Sequence, residues 1–441
     1  MHAMTLPNLD EKLRKLNETT LFRRTGRVAQ IVGLTVESQG PSAALGDLCW
    51  IEGQNGARRA AEVVGFRDNR LLLMPLGDLE GIAPGMTVVA EGRPISVGVG
   101  SQMLGRVIGA LGEPLDGKGP IEAAEQRALT APPPDPLKRA RVTQPMPLGV
   151  RAVDAFSTCG RGQRVGIFGG SGVGKSTLLG MFARYTQADL NVIALIGERG
   201  REVRDFLERD LGPEGLKRSI VIVVTGDQPA ILRIKAALTA STIAEYFRDQ
   251  GKNVLLMMDS ATRLCMAQRE IGLAVGEPPT TRGYTPSVFS LLPKVLERSG
   301  MGERGSITGL YTVLVEGDDM NEPVADAARS MLDGHIVLSR ALAHANRFPA
   351  IDVLESASRV FLDIVQPEHR KAAARARNLM AAYAKARDLI DVGAYVAGSN
   401  PETEAALKVW PKMQAFLKQE PEESAGFAQT VTALGTILAT A

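Results

Sequence analysis

Gly169-Gly170-Ser171-Gly172-Val173-Gly174-Lys175-Ser176-Thr177 is the stretch on which the reading of this chain turns. Arg164-Val165-Gly166-Ile167-Phe168 precedes it and Leu178-Leu179-Gly180-Met181-Phe182-Ala183-Arg184 follows, a strand-length run and then a helical one. The stretch fits G-x-x-x-x-G-K-[ST] in the setting a phosphate loop requires, strand before and helix after. Glycines let successive backbone N–H groups converge on one concavity, and the helix N-terminus adds about half a positive charge there. Gly170, Ser171, Gly172, Val173, Gly174 and Thr177 would then surround the phosphates. Lys175 is placed to reach the β- and γ-phosphates, and the Ser176 hydroxyl to ligate Mg²⁺. The alternative is a chance glycine-rich turn, which rarely falls between a strand and a helix.

Outward from the loop, apolar runs of strand length alternate with helical stretches: 164–168, 192–196, 219–225, 253–258 and 307–315. This is the rhythm of a parallel sheet with both faces covered. Two of these runs end in carboxylates. Asn191-Val192-Ile193-Ala194-Leu195-Ile196 leads into Gly197-Glu198-Arg199, and Asn253-Val254-Leu255-Leu256-Met257-Met258 ends in Asp259. A carboxylate at the first position can sit across from a γ-phosphate and polarise a water. One at the second serves the Mg²⁺ side, directly or through water. Alone, Glu198 would read as a solvated loop glutamate; beside the loop and Asp259 it completes a set for Mg²⁺–ATP hydrolysis.

The rest of the chain divides by composition. Leu6, Leu9, Leu13 and Leu16 fall at helical spacing among charges, predicting a short amphipathic helix within 1–23. That helix either packs on its own domain or docks in a partner's groove. Over 24–95 short apolar runs alternate with Gly and Pro punctuation, predicting a small β-barrel with nothing catalytic in it. From 96 to 150 the sequence is Gly- and Pro-rich, and Pro132-Pro133-Pro134-Asp135-Pro136 reads as a stiff crossing segment. After about 366 the sequence turns Ala-rich and helical. Arg370, Lys371, Arg375, Arg377, Lys385 and Arg387 crowd one stretch there and read as a solvated face.

Composition bounds the function. Among 441 residues the net charge is +2, which excludes a coat of phosphate-binding cations but not a local basic groove. The apolar share of 44% and charged share of 23% argue against wholesale disorder. No apolar run approaches the ~18 residues of a membrane span, and the start lacks a signal-peptide core. The three scattered cysteines, Cys49, Cys159 and Cys265, support neither a disulfide framework nor a zinc cluster. His335, His344 and His369 show no metal-ligand spacing. A reducing cytoplasm is the expectation, with Mg²⁺ delivered alongside ATP as the metal.

With these residues in place, the sequence resembles the hexameric rotary-type ATPases, which include the catalytic β subunit of ATP synthase and the export ATPases of type III secretion. Gly169–Thr177, Gly197-Glu198-Arg199 and Asp259-Ser260-Ala261-Thr262-Arg263 match the family's catalytic segments. Pro349-Ala350-Ile351-Asp352-Val353-Leu354-Glu355-Ser356-Ala357-Ser358-Arg359 fits its long signature, which is far more specific than a phosphate loop. The likeness covers nearly the whole chain. It is most similar to the flagellum-specific export ATPases; Val173 stands where injectisome relatives often carry Cys.

The resemblance implies an α/β phosphate-loop (RecA-like) parallel-sheet core over 96–365, a β-barrel over 24–95 and a helical C-terminal domain over 366–441. It implies that Glu198 orients the attacking water and that Arg199 and Arg263 lie near the γ-phosphate. Phe348 would stack on adenine, where synthase β subunits carry Tyr; the change keeps the π-face. Arg359 resembles an arginine finger presented to a neighbouring subunit's nucleotide, a device worth ~10³–10⁵ in rate. A chain holding both the catalytic set and the finger can form a homohexamer. Further implications are a stator-like regulator on the N-terminal helix, a central stalk protein at the C-terminal domain, and export substrates with their chaperones. Peripheral attachment to a membrane export gate, and Gly283–Phe289 as a pore lining, complete the list.

Two readings compete with flagellar export besides the injectisome. A β-type subunit of a proton-translocating synthase would need an α partner and fits the Leu6–Leu16 stripe and Phe348 less well. A ring-shaped RNA helicase would need an aromatic-rich single-strand platform, and residues 24–95 offer chiefly Trp50 and Phe66. No nucleic-acid partner is expected.

Overall fold

The computed structural model describes residues 24–53, 56–315, 317 and 319–440. The helix expected within 1–23 lies outside the described residues. The chain separates into two compact units, divided between Ile95 and Ser96.

The first unit is the expected barrel. Strands β1 (Thr25–Val32), β2 (Thr35–Gln39), β3 (Asp47–Glu52), β4 (Arg58–Arg67), β5 (Arg70–Pro75) and β6 (Thr87–Pro94) close in the order β1-β2-β5-β4-β3-β6. Alternation sends Val28, Val36, Cys49, Ile51, Val63 and Leu73 into the interior, and closure leaves no free sheet edge. Asp68 and Asn69, both at positive φ, turn β4 back onto β5. Such a two-residue hairpin favours Asp and Asn because they tolerate the left-handed region.

The second unit begins with β7 (Ser96–Val99), β8 (Val107–Ile108) and β9 (Glu125–Ala128). After the short helix α1 (Arg151–Phe156) come β10 (Arg164–Gly169), α2 (Lys175–Tyr185), β11 (Leu190–Glu198) and α3 (Gly200–Asp205). A π-helical turn (Phe206–Leu211) leads to α4 (Gly212–Lys217), β12 (Ser219–Thr225), α5 (Ala230–Asp249), β13 (Asn253–Asp259) and α6 (Ala261–Val275). Next are α7 (Pro286–Leu296), β14 (Gly300–Met301), β15 (Ser306–Leu314), α8 (Pro323–Met331), β16 (Gly334–Leu338), α9 (Arg340–His344) and β17 (Ile351–Ser358). The main sheet runs β17-β16-β10-β15-β13-β11-β12-β8. It is parallel except for β17, antiparallel to β16, and β14, antiparallel to β15. β11, β13 and β15 are buried along almost their whole length. Helices on both faces require this, so these strands read as continuous apolar runs.

β8, β14, β16 and β17 are additions to the five strands expected from hydropathy. β17 falls on the long signature. It alternates poorly, because a bulge opposite His335 and Val337 breaks its register at the sheet edge.

Beyond α10 (Phe361–Ile364) the chain is helical: α11 (Pro367–Asp391), α12 (Pro401–Leu417) and α13 (Phe427–Leu438). Ala373, Ala376, Met380, Met413, Phe416 and Leu434 share one hydrophobic core with α1 and α2. Part of the basic stretch expected to be a solvated face is engaged. Arg377 donates to the carbonyls of Phe156 (2.9 Å) and Ser356 (3.1 Å), and Arg370 to that of Val365 (3.0 Å). All three cysteines are free and buried. Among the described residues no helix is long and apolar enough to cross a membrane.

Candidate active site

β10, β11 and β13 are parallel, so Gly169, Glu198 and Asp259 all close their strands on the same sheet edge. In open α/β sheets, ligands bind outside such carboxyl ends. Gly172 and Gly174 carry φ values of +81° and +83°, and α2 starts at Lys175. Ser176 is exposed, whereas Val173 is buried beneath the loop.

Lys175 lies in the field of both Asp259 and Glu198. Burial lowers its pKa, the two carboxylates oppose that, and Arg263 adds to it. Glu198 is pushed up from its ordinary 4.5 to about 7, first by burial, then by the charge of Asp259 and a hydrogen bond with Glu202. Arg263 acts the other way, its Nε 3.3 Å from Glu198 Oε1. Gly197, at φ +70°, is required for that approach, since a Cβ there would lie 2.9 Å from Arg263 Cδ. A carboxylate whose pKa sits near neutrality is matched to taking a proton from water.

Asp259 is 5% exposed, and Thr312 Oγ1 donates to its Oδ1 at 2.5 Å. Leu314 N donates to Thr262 Oγ1 at 2.8 Å, tying the end of β15 to the start of α6. A cavity of about 530 Å³ opens beside the loop, with Gly170, Ser171, Thr262, Arg269, Tyr284 and Arg340 on its walls. Among the described residues no three His, Cys, Asp or Glu side chains converge on a metal position. Ser176 offers a hydroxyl and Asp259 a carboxylate, the hard oxygen donors that a cation such as Mg²⁺ takes alongside phosphates and water.

Phe348 stands over the loop: a Cβ on Gly174 would lie 3.3 Å from its ring carbons. It is 37% exposed, leaving an aromatic surface open, and its carbonyl accepts from Gln419 N at 3.0 Å. Arg199 is not brought to Lys175. It precedes α3 with its side chain 74% exposed, 3.4 Å from Glu202.

Arg359 lies at the opposite edge of the sheet. Its N–H bonds to Asp333 O (2.9 Å) and its guanidinium to Arg329 O (3.3 Å). Leu338, at the loop end of β16, is five residues from Asp333, or ~17 Å of strand at about 3.3 Å per residue.

Thr312 and Glu202 were not anticipated from the sequence. Thr312 is 53 residues from Asp259 and meets it only because β13 pairs with β15. The one signal available for Glu202 was its place a helical turn after Glu198.

Residues 149–358 match the model of the ATP synthase alpha/beta family nucleotide-binding domain and 28–92 that of the family's beta-barrel domain. Residues 365–436 match the T3SS EscN ATPase C-terminal domain. The flagellum-specific ATP synthase of Bacillus subtilis is 55% identical over 95% of this chain and 96% of its own length. The type 3 secretion system ATPase of Sinorhizobium fredii is 51% identical over 92% and 90%. Among solved structures, the assembled ATPase EscN of enteropathogenic E. coli superposes with a TM-score of 0.88 at 45% identity, covering 94% of this chain and 100% of that one. EscN in complex with its central stalk EscO gives 0.87. With a phosphate loop, two strand-end carboxylates and full-length relatives of this kind, the chain is an ATPase belonging to the ATP synthase alpha/beta family, alongside the flagellum-specific ATP synthases and type 3 secretion system ATPases.

Proposed function

We propose that this chain hydrolyses Mg²⁺–ATP in a homohexameric ring that energises flagellar type III protein export. One observation carries the ring. Lys175, Glu198, Asp259 and Arg263 gather at one sheet edge, while Arg359 sits ~17 Å of strand away at the other. Arg359 therefore serves a phosphate held by the neighbouring subunit.

In this reading the loop from Gly170 to Thr177 and Lys175 hold the phosphates, and Phe348 offers its open face to the adenine. Ser176 and Asp259 would hold the Mg²⁺, which neutralises charge on the phosphate oxygens when bound. Glu198 orients the water and accepts its proton. Arg263 keeps Glu198 from being pushed higher. The finger stabilises charge only in the transition state, so it acts on kcat.

The likeness to EscN, solved assembled and with its central stalk EscO, supports self-association and a stalk partner at α11–α13 here. The regulator would take residues 1–23, the ring would work in the cytoplasm against a membrane export gate, and export substrates and chaperones would be its cargo. Deleting residues 1–20 should abolish capture of the regulator while leaving the ATPase folded.

The decisive experiment uses two dead variants. Arg359→Ala should lose turnover yet bind ATP nearly as tightly. Lys175→Ala should lose turnover with its finger intact. Mixing them restores activity at each seam where an intact loop faces an intact finger. Wild-type turnover in R359A, or no recovery on mixing, would defeat the proposal.

A further inference from the structure

The π turn between α3 and α4 aims a buried carboxylate at the phosphate loop. Phe206, Asp210 and Leu211 are its buried residues, 3%, 4% and 0% exposed. π turns are rare and collect at functional sites. Here the widened turn places Asp210 against α2. Thr177 Oγ1, the last side chain of the loop motif, donates to Asp210 Oδ1 at 3.1 Å. One turn further along α2, a Cβ on Gly180 would lie 2.5 Å from Asp210 O, so the two backbones touch. Arg209 lies 3.6 Å from Asp210 with its side chain 72% exposed. Burying a carboxylate against a helix is costly where an apolar side chain would pack.

The segment that carries Asp210 starts at Glu198. From the end of β11 the chain runs directly through α3 into the π turn, 12 residues on from Glu198 to Asp210. We infer that Asp210 is a positioning residue for ATP hydrolysis: through Thr177 it sets the first turn of α2, with Lys175 and Ser176, in register with the segment bearing Glu198. This inference rests on the roles proposed above for Lys175 and Glu198. Asp210 also engages the Thr177 hydroxyl hydrogen, leaving the backbone N–H as the donor Thr177 can offer a phosphate.

The test is a double-mutant cycle on the full chain, with kcat expressed per bound nucleotide so that loss of folded protein drops out. Asp210→Ala and Thr177→Val should each lower kcat about tenfold, the loss of a hydrogen bond to a charged acceptor. The double variant should be no slower than either single one, since both remove one interaction. Asp210→Asn keeps an acceptor oxygen and should regain most of the rate. Three results overturn the inference: unchanged kcat in D210A, losses that multiply in the double variant, or no recovery in D210N. If D210A does not fold, T177V decides, with the same loss supporting the inference and wild-type turnover overturning it. Glu198→Gln run in parallel separates the two levels. Turnover in E198Q defeats the proposed site and this inference with it, while an inactive E198Q beside an unaffected D210A defeats the inference alone.

Discussion

Replacing Glu202 by Gln should move the acid limb of the ATPase pH profile. Glu198 is raised to about 7 by burial, by Asp259 and by Glu202, in that order, with Arg263 opposing. A Gln at 202 exchanges a like charge that shares a proton for a neutral amide that donates to the ionised carboxylate. Glu202 is neither the largest nor the second cause of the rise, so its removal is worth roughly one pH unit. The sign follows from the base role: Glu198 must be ionised to act, and a lower pKa extends activity to lower pH. With a pKa near 7, about a tenth of the enzyme is ionised at pH 6; with one near 6, about half is. The variant should therefore gain about fivefold in kcat/KM at pH 6 and change little at pH 8. The assay is phosphate release from pH 5.5 to 8.5 at fixed free Mg²⁺, reading kcat/KM because it reports the free enzyme. Running both proteins side by side cancels the titration of ATP itself. An acid limb that stays in place, or moves up, would refute either the contact with Glu202 or the base role of Glu198.

Thr312→Val removes the buried donor to Asp259 while keeping the shape of the side chain. It should raise the Mg²⁺ concentration for half-maximal turnover several-fold, and an unchanged Mg²⁺ titration would count against Asp259 serving the metal. Arg298 and Glu245 form a fully buried pair at 2.6 Å, with Arg298 also bonded to Thr242 and to Leu129 O. Arg298→Met strands Glu245 without its cation and should cost about 3–5 kcal/mol in denaturant unfolding. A loss below ~1 kcal/mol would mean that water reaches the glutamate.

The chemistry that is local in the chain can be read from the residues in order. Nine consecutive residues between a strand and a helix are enough for a phosphate loop, because the cradle is built from their own backbone. Glu198 and Asp259 were legible because each closes an apolar run, and parallel strands bring such ends to one edge. The barrel was legible from its turns, which need Gly, Asp or Asn for backbone reasons. Tertiary structure alone decided the rest. Thr312 reaches Asp259 across a strand pairing, and Asp210 reaches Thr177 through a π turn, neither of which leaves a periodic trace. Arg377 reads as one more surface cation until packing turns it onto the Phe156 and Ser356 carbonyls. Arg199 and Arg263, alike in the sequence as arginines following strand-end carboxylates, part company in space, one facing solvent and the other 3.3 Å from Glu198. The antiparallel run of β17 carries Arg359 away from its own loop, and only the sheet order makes that separation visible.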